Sequence, residues 1–334
     1  MGRDAPTRGR RRTVGAHAVL ALLAAASTGV SFGCGSSASQ VTHGATAAGT
    51  PGRPTGNATS TATPAAAPAP AVPRLLVRAP ARSTAGWAVV AEVRGRPAAW
   101  LAERSGVTLM RFDQGLVHLT LHAGSSDGGG DGGWTYGDRI SRREIHLLIA
   151  AVNGGFKLTY RDVGFVSGSH VAVSLKPGLA SIVTYTDGTT NIGAWHAGVP
   201  SVSRRVFSVL QNQQLLVDHG EAAASVSECI ISCWGETIGS RTVVARSALG
   251  VTANGQLVWA AGEQLQPAEL AAALIHAGVL RAIELDINPA WVAGYLYVHH
   301  SSGPSPVPVV PGQVGIAGEL LEPYSRDFLA IVAN

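Results

Sequence analysis

The chain has 334 residues, 46% of them hydrophobic, with 25 Lys+Arg, 21 Asp+Glu and three cysteines. Its basicity sits in the leader. Without the first 33 residues Lys+Arg falls from 25 to 20 and Asp+Glu from 21 to 20, and Arg53 and Arg74 are the only charges in residues 34–74. The remainder, 18 basic and 20 acidic residues, gives no reason to expect a nucleic-acid partner.

Residues 1–33 read as an export signal. A basic start ends at Arg12, with Arg11-Arg12 only a faint twin-arginine pattern, and an apolar run from Ala16 to Ala26 follows. That run is short for a span of roughly 30 Å of hydrocarbon. Ser31-Phe32-Gly33-Cys34 resembles a lipoprotein cleavage box, with Ser31 and Phe32 departing from its usual residues; Cys34 is the candidate lipidation site. Ordinary signal cleavage nearby, or an uncleaved anchor, are the alternatives. Residues 34–74 are rich in Ala, Gly, Ser, Thr and Pro. They cannot bury enough apolar surface to order themselves, so they read as a stalk. Residues 75–334 form the expected domain.

Within that domain the strand candidates are Gly86–Val93, Val107–Met110, Leu116–Leu121, Val171–Val173, Ser181–Tyr185, Val206–Leu210, Leu215–Val217, Ala248–Val251, Leu257–Ala260 and Ala282–Ile287. Asp187-Gly188 and Asn254-Gly255 are hairpin turn signals. Two helices are expected. Ser141–Ala151 opens on Ser141 with Glu144 three residues later, a capping-box pattern. Gln266–Val279 opens beside Pro267, with Leu270, Leu274 and Ala277 at helical spacing. The fold class these imply is α+β: one domain with a mixed, largely antiparallel sheet and packed helices. Cys229 and Cys233, four apart in an exported chain, suggest a small disulfide. A metal site is less favoured, since no second Cys or His pair lies nearby; His170, His196, His299 and His300 show no metal spacing either. Asp127-Gly-Gly-Gly-Asp131 is a glycine-rich loop without the Glu a calcium loop needs.

Arg281-Ala-Ile-Glu-Leu-Asp-Ile-Asn-Pro-Ala-Trp291 carries most information. Alternation puts Ile283, Leu285 and Ile287 on one face of a strand and Glu284 and Asp286 on the other. Two carboxylates on an apolar strand are costly to bury, which suggests a site; a solvated strand end is the plain alternative.

Four segments then line up: Ala150–Lys157 with Asn153-Gly154-Gly155-Phe156, Val183–Gly188 with Trp195 beyond, Arg246–Gly255 followed by Leu265–Ala271, and Glu284-Leu285-Asp286. In order and spacing they resemble the phosphodiester glycosidase family. Tyr324-Ser-Arg-Asp-Phe328 looks like the ending of one bacterial branch. Where that family has Gly-Gly after Leu-Asp, this chain has Ile287-Asn288-Pro289-Ala290-Trp291, which implies a reshaped pocket. Lys157 stands where a second Phe is frequent.

The resemblance implies hydrolysis of a glycosyl-1-phosphodiester. The leaving phosphate monoester has a second pKa of about 6, so it needs little acid assistance. The chemistry needs a cation for phosphate, a carboxylate near the anomeric carbon and a base for water. On this reading Asp286 is the carboxylate and Arg246 the phosphate clamp. Glu284 is a second carboxylate about 6.5–7 Å along the strand, or else part of a structural ion pair. Asn153 would orient substrate, Gly154 and Gly155 would bare N–H groups to an anion, Lys157 would meet phosphate and Trp291 would stack on sugar. No cofactor is required, although a divalent cation could accompany the phosphate. The expected partners are a cell-wall glycan or sugar phosphodiester, and the membrane through an N-terminal lipid or anchor. Two rival readings are a glycan-binding module on the same fold and an envelope assembly protein with a vestigial site.

Overall fold

The computed structural model describes residues 73–80, 86–127 and 133–334. The export signal, Cys34 and most of the proposed stalk lie outside the described residues. Residues Pro68–Asn334 cluster into one unit.

Three sheets build it. The largest has nine strands, in the order Leu75–Val77, Ala88–Val93, Arg96–Arg104, Val107–Phe112, Leu257–Leu265, Val244–Thr252, Val279–Ile287, Leu215–Asp218 and Glu221–Ala222. A five-stranded sheet runs Thr190–Ala194, Ala180–Tyr185, Val206–Asn212, Val163–Ser167, His170–Val173. The other five-stranded sheet runs Gly303–Pro308, Gly294–His300, Leu148–Asn153, Phe328–Ala333, Val117–His122. Every strand pair among the described residues is antiparallel, and the one isolated parallel bridge joins Trp195 and Val199. The expected antiparallel character therefore holds, and α+β describes the fold only loosely. Among the described residues the α-helices are Pro267–His276 and two four-residue turns, Ser225–Glu228 and Ile230–Cys233.

The ten strand candidates all fall within observed strands or overlap them. Both turn signals close hairpins: Gly188 follows Ala180–Tyr185 at φ 86°, and Gly255 follows Val244–Thr252 at φ 78°. Helix Pro267–His276 starts as its sequence implies, with Gln266 N–H donating to Glu269 Oε2 at 2.7 Å. Its face of Leu270, Ala271 and Leu274 packs on Val258, Ala260 and Ala282 of the large sheet. The opposite face, with Leu249, Ile283 and Leu285, packs on residues of both five-stranded sheets, among them Val152, Ile331, Ile182 and Leu210.

The helix expected over Ser141–Ala151 is not there. Its capping box forms, with Ser141 N–H donating to Glu144 at 3.0 Å and Glu144 N–H to Ser141 Oγ at 3.2 Å. Only one turn follows before Leu148–Asn153 becomes a strand, buried at every position. Two strands, Phe328–Ala333 and Gly294–His300, offer this segment hydrogen bonds on both edges. Those ladders and the burial of Leu-Ile-Ala-Ala-Val outweigh a local cap worth about 1 kcal/mol.

Candidate functional site

The Val279–Ile287 strand positions the site through an irregularity. Against Val244–Thr252, Ala248 pairs with Glu284 but Arg246 pairs with Ile287, so one extra residue is accommodated between them. A bulge of this kind re-aims side chains and ends regular pairing. The two carboxylates part here.

Glu284 turns to Arg246. Arg246 Nη1 lies 2.7 Å from Glu284 Oε1, with side-chain exposures of 0% and 1%. The same guanidinium donates to Leu265 O at 3.2 Å and Trp234 O at 3.0 Å. Burial pushes the Glu284 carboxyl up to about 7, opposed by Arg246. Neither residue is in the lining of the cavity beside Asp286. In this geometry Arg246 is the counter-ion of an interior carboxylate, and Glu284 is its buried partner.

Asp286 turns the other way. Its Oδ2 lies 2.8 Å from Arg326 Nη2 and its Oδ1 accepts the Ile287 N–H at 2.8 Å. It is 7% exposed. Burial pushes its carboxyl up to about 7 against the pull of Arg326. With Phe156, Lys157, Tyr160, Glu236, Trp291 and Arg326 it lines a cavity of about 330 Å³. Asn288 follows at φ 76°, a left-handed conformation that Asn tolerates. It lets the chain turn, and Trp291 and Val292 N–H both reach back to its carbonyl.

The Asn153-Gly154-Gly155 turn supports Asp286 from behind. Asn153 Nδ2 donates to Ser247 Oγ at 2.9 Å, and Ser247 Oγ also lies 3.1 Å from Asp286 O. Gly154 O accepts the Asp286 N–H at 2.8 Å. The glycine N–H groups are not bared to a ligand. Gly154 N–H donates to Asp327 O at 3.1 Å and Gly155 N–H to Asp327 Oδ2 at 2.8 Å. A Cβ on Gly154 would sit 2.1 Å from Asp327 Oδ2, so only glycine allows this approach. Asn153, Gly154 and Gly155 hold the wall; Lys157 and Trp291 reach the cavity itself. The Lys157 side chain is exposed and forms no ion pair among the described residues.

Two further residues belong here that sequence reasoning did not assign. Arg326 bonds Asp286, Asp127 and Gly155 O, with its guanidinium 4.9 Å over the Trp291 ring. Asp327 is fully buried beside it, and burial pushes its carboxyl up to about 7. The available signal was a pair of charges, Arg326-Asp327, entering the wholly apolar strand Phe328–Ala333.

Cys229 and Cys233 form a disulfide, with Cα atoms 5.3 Å apart. The chain runs from it into Trp234, Gly235 and Glu236, the last two lining the cavity. No group of three or more His, Cys, Asp or Glu among the described residues is disposed to hold a metal ion. No helix among them is long and apolar enough to cross a membrane.

No family model matches this chain, and no curated protein sequence does. Among solved structures, it has a distant likeness to the zebrafish N-acetylglucosamine-1-phosphodiester alpha-N-acetylglucosaminidase catalytic domain, auto-inhibited by its pro-peptide. That match has a TM-score of 0.43 at 13% identity and covers 79% of this chain and 89% of the other. A hypothetical protein from Synechocystis matches with a TM-score of 0.37 at 12% identity, over 73% of this chain and 66% of that one.

Proposed function

We propose that this chain is an exported cell-envelope hydrolase that cleaves glycosyl-1-phosphodiester bonds of wall glycans in the cavity beside Asp286. The observation that carries the reading is a carboxyl held near neutrality, at about 7, on the wall of a cavity with aromatic and cationic sides. A base poised near the working pH suits proton abstraction from water. The motif order of Asn153-Gly-Gly-Phe, Arg246-Ser-Ala and Leu285-Asp286 points the same way.

In this reading water attacks the anomeric carbon and its proton passes to Asp286. The bond from that carbon to the phosphate oxygen breaks, and its electron pair leaves with the phosphate monoester. Lys157 faces the phosphate, and Trp291 or Tyr160 takes the apolar face of the sugar. Arg326 is a positioning residue: it fixes the Asp286 carboxylate and lowers the cost of ionising it. Arg246, Glu284, Asn153, Gly154 and Gly155 position the strand end from inside. Export and attachment at Cys34 are part of the proposal, supported by the leader sequence and by the Cys229–Cys233 disulfide, a bond typical of oxidising compartments.

One observation favours binding without cleavage: both oxygens of Asp286 already have partners. A single experiment separates the readings. The full chain is incubated with a GlcNAc-1-phosphodiester beside Asp286→Asn and Lys157→Ala. Sugar release by wild type, abolished in the first variant and weakened in the second, supports the hydrolase. Absence of release, with wild type retained on immobilised wall glycan, leaves the binding module.

A further inference from the structure

A larger cavity lies elsewhere. It measures about 490 Å³, within the size range of small-molecule sites. Its walls are two hairpin ends, Thr189–Asn191 and Val251–Gly255, with the Gln114 turn and the start of the Val279–Ile287 strand. Gln114 ties the hairpins together: its amide donates to Thr190 O at 3.0 Å and to Gly255 O, and its oxygen accepts the Thr190 N–H at 2.6 Å. The walls are thus fixed in advance, and preorganisation lowers the cost of binding.

The lining holds two arginines and no carboxylate. Arg204 is oriented by Asp187, at 2.7 Å from both carboxylate oxygens, and by stacking 4.0 Å over the Tyr185 ring. Arg281 differs. Its only protein acceptor among the described residues is the neutral Asn191 Oδ1, at 3.3 Å. Its Nη1 sits in a slot left by two glycines, since a Cβ at either Gly193 or Gly198 would lie 3.3 Å from it. A guanidinium that lines a cavity with no carboxylate in its lining is free to take an anion. Its planar fork suits a phosphate, which would supply the missing charge. Around it the lining offers the hydroxyls and amides of Thr189, Thr252 and Asn254, groups that hydrogen-bond sugar hydroxyls.

We propose that this cavity is a second ligand site, for a phosphate-bearing saccharide, with Arg281 as the phosphate contact and Arg204 as its support. Arg281 and Asp286 are five residues apart on one strand, about 16 Å, so the two cavities are separate sites. The proposal does not depend on the hydrolase reading.

The test is calorimetric titration of the full chain with glucose 1-phosphate, glucose and inorganic phosphate in low salt. The expected result is saturable binding of glucose 1-phosphate, weakened at least tenfold in Arg281→Gln and retained in Lys157→Ala. Arg204→Gln should weaken it less, and glucose should bind more weakly than its phosphate. Melting curves confirm that each variant is folded; if Arg281→Gln is not, Arg204→Gln and Asn254→Ala carry the test. Binding lost in Lys157→Ala but kept in Arg281→Gln would overturn the assignment. So would absence of saturable binding, or inorganic phosphate binding as tightly as the sugar phosphate.

Discussion

Replacing Arg246 by Met strands Glu284 in the interior. The pair is 0% and 1% exposed at 2.7 Å, Glu284 Oε2 has no hydrogen-bond partner, and Arg246 is the only ion-pair partner of Glu284 among the described residues. Breaking a buried pair from one side costs about 3–5 kcal/mol. The loss also depends on pH. Burial already holds Glu284 at about 7, from an ordinary 4.5, with Arg246 opposing. Removing Arg246 raises it further. Above about 7 the wild-type group is ionised folded and unfolded alike, so its contribution to stability is flat. The variant keeps a proton when folded that it releases when unfolded. Its stability therefore falls by about 1.4 kcal/mol per pH unit in that range. The assay is urea unfolding followed by tryptophan fluorescence at pH 6 and pH 8, with Arg246→Met/Glu284→Leu alongside. The single variant should lose more at pH 8 than at pH 6. The double variant should recover most of the loss, because apolar residues often replace a buried pair without penalty. A loss below about 1 kcal/mol, or a double variant no better than the single, would refute the reasoning.

Other expectations bear on the site and its frame. If Asp286 is the base, kcat/KM should rise with pH through about 7, and a profile falling through that range would exclude a base there. Gly154→Ala places a methyl 2.1 Å from Asp327 Oδ2 and 2.5 Å from its carbonyl oxygen. It should lower stability by about 3 kcal/mol, roughly 6–12 °C in a melting curve for a domain of this size. The double serine variant at Cys229 and Cys233 opens a loop of sequence separation 4. Such a small loop is worth about 2 kcal/mol by chain entropy, measurable as a shifted urea midpoint. Since the disulfide precedes Gly235 and Glu236, that variant should also raise KM.

The sequence reveals strands best where apolar residues alternate or a turn dipeptide follows, as at Ser181–Tyr185 and Leu257–Ala260. It misleads where a local cap competes with distant pairing. Ser141 and Glu144 make their bonds, yet the partners that turn Leu148–Asn153 into a strand lie near residues 295 and 330. Gly303–Pro308 was unreadable because Pro304, Pro306 and Pro308 argue against a strand; the structure places it at a sheet edge, where proline is tolerated. At the site, Asp286 stood out as a charge on an apolar strand. Alternation also put Glu284 on its face, and a one-residue irregularity undid that, a feature no periodicity encodes. Arg326 and Asp327 carried the same kind of signal in a segment read only for its likeness to a family ending.

The strand Phe328–Ala333 lies between Leu148–Asn153 and Val117–His122, in the interior of its sheet. A ribosome makes it after every other described element. Until it emerges, the edges of Leu148–Asn153 and Val117–His122 that it pairs with stay open, and Asp286 lacks its Arg326 partner. Ribosomes that stop before residue 326 would therefore release chains prone to pair with one another through those edges. The cavity's Arg326 wall and an interior strand of this sheet therefore arrive together.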